Sequence, residues 1–134
     1  MKNNMSVRWG WLKFMYIYTI VGAGFFGLGM VFLPKVIQSV FAFPSEDPVV
    51  FGIEGSVYTA FALLSILGFR SPVKFSPVLL LQLFYKSISL ICVILPIFSG
   101  GVIEKYAVMT AVIFVTYIIG DLIAIPFSYL FRKE

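Results

Sequence analysis

The chain has 134 residues, 60% of them hydrophobic and 12% charged, with a formal net charge of +4. Soluble domains carry about 45–50% apolar and about 25% charged residues, so this composition excludes an ordinary soluble domain and points to a membrane. There is no histidine and a single cysteine, Cys92, which excludes histidine-built haem and zinc sites, Ser-His catalytic sets and an intrachain disulfide.

About 20 apolar residues cross the hydrocarbon core of a bilayer. The expected fold is all-α: one domain over 1–134, built as a bundle of four transmembrane helices over about 14–33, 48–67, 77–98 and 103–131. The basic residues flank these runs. The bilayer is therefore the expected partner, and nucleic acid is not.

The leader holds Lys2, Arg8 and Lys13, with Trp9 and Trp11 as headgroup-level anchors before the first span. The run from Phe14 to Leu33 is too long for a signal-peptide core, and no A-x-A-like site follows, so an uncleaved span is expected. Gly22, Gly24, Gly27 and Gly29 lie within it. Ala23 and Gly27 form a small-xxx-small pair, and Gly22, Phe26 and Gly29 make a second stripe at helical spacing. Two readings stand: a groove for a lipid tail or flat apolar ligand, or tight helix packing.

After Pro34 and Lys35, the apolar residues Val36, Ile37, Val40 and Phe41 recur at helical spacing opposite Gln38 and Ser39. A short interfacial helix fits this pattern. Asp47-Pro48 opens the second span as N-cap and first helical residue, and Ser76-Pro77 repeats the device for the third. Pro96 falls near the end of the third span. Pro126 falls inside the fourth and predicts a bend there, with the Leu122 carbonyl left without its backbone partner. Lys and Arg collect in the leader, in the 68–75 connection and at the C-terminus. Both termini and the middle loop are therefore expected in the cytoplasm.

Three spans carry ionisable residues: Glu54, Lys86 and Asp121. A charge at mid-bilayer costs roughly 2.5–3.5 kcal/mol on insertion scales, so each needs a partner or a task. With a rise of about 1.5 Å per residue, Lys86 and Asp121 both stand about 13 Å above the cytoplasmic end, and Glu54 about 20 Å. Lys86 and Asp121 are therefore expected to pair, with Glu54, Gln82, Tyr58 and Tyr117 completing a buried polar cluster. The cluster reads either as a structural ion pair, or as an ion relay or head-group pocket. Gly22-Ala23-Gly24-Phe25-Phe26-Gly27 matches a dinucleotide fingerprint only literally, because it follows no soluble strand. No metal or cofactor site is expected.

The Gly-rich first span ending Phe32-Leu33-Pro34, the Phe41-Ala42-Phe43-Pro44 turn with Asp47-Pro48, and the basic central loop resemble small bacterial four-helix membrane proteins of the DoxX-like type. That resemblance implies a four-span fold in a bacterial cytoplasmic membrane and, for some members, oxidase or redox partners. It brings no catalytic signature. The functional expectation is a non-enzymatic accessory subunit of a larger membrane complex, or a binder of a lipid-like ligand, with self-association also open. The alternative is a proton-coupled carrier or membrane-embedded enzyme using the same charged residues.

Overall fold

The computed structural model describes residues 7–101 and 103–134. Lys2, counted above with the basic leader, lies outside them. Four helical segments among the described residues are long and apolar enough to cross a membrane: Trp9–Phe32, Pro48–Arg70, Pro77–Ser99 and Lys105–Ala124. The chain is an all-α integral membrane protein, and no strand occurs among the described residues.

Helix α1 (Trp9–Phe32) begins before the expected residue 14, so Trp9 and Trp11 belong to the helix itself, where they are exposed. Helix α2 (Pro34–Val40) is the expected short helix. It buries Ile37, and its exposed apolar residues include Val36 and Val40. Its end is a Schellman turn, in which Phe43 N–H bonds the Gln38 carbonyl at 3.0 Å. The left-handed position in that turn is held by Ala42 at φ 59° rather than by glycine.

Helix α3 (Pro48–Arg70) starts as its sequence dictates. The Asp47 carboxylate accepts from Val49 N–H at 2.8 Å and Val50 N–H at 3.3 Å, while Pro48 supplies the first helical turn without needing a donor. The analogous expectation for Ser76 fails. Its backbone is already helical at φ −58°, ψ −25°, so its hydroxyl turns back and donates to the Val73 carbonyl at 2.8 Å. A capping side chain needs an extended backbone to reach forward.

The third span is α4 (Pro77–Ser89), a π-helical segment Leu90–Ile94, and α5 (Leu95–Ser99). Pro96 has no N–H for the Cys92 carbonyl, and its ring crowds that carbonyl. The wider π turn just ahead of it relieves the crowding. Helix α6 (Lys105–Ala124) ends earlier than the expected 131. Pro126 stops the helix instead of bending it. It forces the preceding Ile125 out of the helical region to ψ 130°, and α7 (Phe127–Leu130) follows as a separate turn. The Arg8 guanidinium donates to the Ile123 carbonyl at 2.9 Å and satisfies one of the orphaned end groups.

Helix α1 packs on α3, α4 packs on α6, and α1 also meets α6, whereas α3 and α4 make little contact. The end of the bundle that carries both termini is solid. Leu12, Met15, Tyr16, Leu79, Leu83 and Tyr117 form one buried cluster there. At the other end, Met30, Ile37 and Phe51 pin α1, α2 and α3 together. The far half of the bundle, between these two clusters, is hollow.

A membrane-embedded cavity with a buried lysine

The hollow is a cavity of about 860 Å³ bordered by all four spans and by the loop after α2. Its walls are mostly apolar. Among the described residues three charged ones line it: Lys86 on α4, Glu54 on α3 and Glu46 in the loop. Val57 on α3 and Val93 in the π segment border it and are 44% and 54% exposed, so its wall is interrupted between the second and third spans.

Lys86 is only 4% exposed. Its ammonium sits in an aromatic cage, 4.1 Å from the centre of the Phe114 ring, 4.3 Å from Tyr117, 5.0 Å from Tyr85 and 5.8 Å from Tyr58. Among the described residues it has no carboxylate within ion-pair distance. The expected Lys86–Asp121 pair is therefore not made. Asp121 is fully buried one layer below the cavity, where the Gln82 amide donates to its two carboxylate oxygens at 3.1 and 3.3 Å. Gln82 lies one helical turn from Lys86 on the same face, so it takes the carboxylate while the longer lysine turns to the rings. The same amide lies 3.4 Å from the Thr19 hydroxyl, which in turn donates to the Met15 carbonyl at 2.8 Å.

The expected polar cluster thus divides in two. Lys86, Tyr58 and Tyr117 surround the cavity floor, and Glu54 stands nearer the far end. Gln82 and Asp121 form a separate layer with Thr19. Tyr117 is further fixed by a bond from its hydroxyl to the Tyr18 carbonyl at 3.1 Å and by stacking on the Tyr18 ring at 4.3 Å. Sequence reasoning missed Phe114, Tyr85 and Thr19. The signal for Phe114 was present, because Phe114, Tyr117 and Asp121 recur at helical spacing on one face of α6.

Magnitudes decide what the cage leaves undone. A desolvated cation–π contact contributes roughly 2 kcal/mol or more. Removing an ammonium from water costs several kcal/mol even after relaxation, and its three N–H groups still seek acceptors that ring faces supply only weakly. The rings hold the cation in place and leave it open to an acceptor in the cavity.

The four glycines of α1 play different parts. A Cβ on Gly27 would stand 2.6 Å from the Thr59 N–H nitrogen and 2.8 Å from the Gly55 carbonyl, so Gly27 is backbone-to-backbone packing against α3. Gly29 accommodates the Ile37 side chain, and Gly24 faces Ala62. Gly22 borders the cavity, and a side chain there would meet the Tyr117 hydroxyl. Gly24, Gly27 and Gly29 thus face protein neighbours and do not line the cavity. The groove is continued instead by Ala23, Phe26 and Met30 beside Gly22.

No metal-binding cluster of acidic or sulfur ligands occurs among the described residues. Comparison with family models, with curated proteins and with solved structures finds no match.

Proposed function

We propose that this chain is a non-enzymatic membrane protein that holds a lipid-like ligand within its bundle. The observation that carries this reading is the cavity itself. Its size falls within the roughly 300–1,000 Å³ of known small-molecule sites, it is mostly apolar, and one buried cation gives it a polar end. The interruption between the second and third spans supports entry from the bilayer rather than from water. On this reading the bilayer supplies the ligand. The protein delivers or presents it, alone, in self-association or as an accessory subunit of a larger membrane complex. The resemblance to DoxX-like proteins favours the accessory role. The positive flanks favour both termini inside, and the same resemblance favours a bacterial cytoplasmic membrane.

Native mass spectrometry of the protein released from mild detergent tests the reading. A stoichiometric small-molecule adduct is expected, and a bare polypeptide mass under conditions that preserve lipid adducts on other membrane proteins would contradict it. A second reading, a proton-coupled carrier or membrane-embedded enzyme, draws on Glu54 and Lys86 lining the same cavity. Flux driven by a pH gradient in liposomes would favour it over simple binding.

A further inference from the structure

We propose that the ligand is a long-chain carboxylate, held with its carboxylate on Lys86 and its chain directed toward the far end of the bundle. The inference rests on the ligand-binding reading above and adds the chemistry and direction of the occupant.

Three observations carry it. Among the described residues Lys86 is the one basic residue lining the cavity, it is buried to 4% exposure, and no carboxylate lies within ion-pair distance of it. A ligand carboxylate supplies both the missing countercharge and the missing acceptors. Glu54 and Glu46, the other charged residues of the wall, lie toward the far end. They repel an anion from that part of the cavity, so the negative group is stable only at the lysine floor. Between floor and mouth the wall is apolar, with Phe26 and Met30 on α1 facing Ile94 and Ile97 of the third span. Lys86 to Ile97 is a rise of about 16 Å, enough for most of an extended acyl chain.

The test uses the full-length protein in nanodiscs of phosphatidylcholine, with tritiated hexadecanoate as the probe. Unlabelled hexadecanoate, its methyl ester and hexadecylamine are the competitors. The acid should compete at least about tenfold more strongly than the ester, the expected effect of one charge-assisted contact. Lys86→Met should remove that preference, so that acid and ester compete within about twofold of each other. The parent comparison alone decides the question if the variant fails to fold. Equal competition by acid and ester would overturn the carboxylate assignment and leave the lipid-like reading standing. So would stronger competition by the amine, which would place the polar end at Glu54. Saturable binding of none of the three would contradict both.

Discussion

At the residue scale, the buried charges decide most. Helix rise alone gives Lys86 and Asp121 equal depth and so predicts a pair. What the depth could not reveal is that Gln82, on the same face as Lys86, is closer to the carboxylate than the ammonium is. This changes what substitutions should do. Paired charges would make Lys86→Met and Asp121→Leu strongly coupled, since removing one partner of a buried pair costs about 3–5 kcal/mol and removing both costs less. With no direct contact only a through-space attraction remains, and the coupling should fall to about 1 kcal/mol or less in a denaturation cycle. Asp121→Leu should cost about 1–3 kcal/mol by stranding the Gln82 amide, and Asp121→Asn should recover much of it. A coupling above 1 kcal/mol would restore the ion pair. Ala42 offers an independent check. Its left-handed backbone costs an L-residue roughly 1–2 kcal/mol. Ala42→Gly should therefore raise stability by up to about 1 kcal/mol once the extra unfolded-state freedom of glycine is subtracted. A lowered melting temperature would show that the turn is not strained.

At the element scale, the spans were legible because apolar length and capping chemistry agree: Asp47-Pro48 starts α3 where the sequence says it must. The ends were harder to place. Pro126 forbids the helical conformation at Ile125, and whether the chain bends or stops depends on what else satisfies the open carbonyls. Arg8, far away in sequence, supplies that. The π segment before Pro96 was equally invisible, because it is a response to crowding within one turn. The α1–α3 seam is the element-level prediction. Gly27 and Gly55 bring the two backbones into contact, so a Cβ on Gly55 would stand 2.7 Å from Met30 Cβ. Gly27→Leu should lose about 1–3 kcal/mol or more, as overpacked cores do, because the obstacle is backbone and cannot swing aside. The mirror control is Gly52→Leu, whose added side chain begins in open space. Thermal melts in detergent should separate the two variants. Equal melting temperatures would mean that the seam opens at little cost.

At the scale of the whole molecule, an even number of crossings puts both ends of the chain on one side of the membrane, and the proposed orientation makes that side the cytoplasm. In a Cys92→Ser background, cysteines at Ser45 and Ser71 should react with an impermeant reagent from opposite faces, Ser45 from outside. Labelling of both from one face would break the four-span topology. The bundle is solid near its termini and hollow beyond Lys86. Composition could not announce this, because apolar residues that line a cavity and apolar residues that fill a core read alike in sequence. The hollow is the central claim, and filling it is the most direct test. Ser89 lines the cavity, whereas the adjacent Ile88 is 61% exposed on the outer surface. Native mass spectrometry of the parent, Ser89→Trp and Ile88→Trp, released from the same membranes, compares one added volume on two faces of one helix. A stoichiometric adduct present on the parent and on Ile88→Trp but lost from Ser89→Trp is the predicted result. An adduct that survives on Ser89→Trp, or that is missing from all three, would contradict a ligand held inside the bundle.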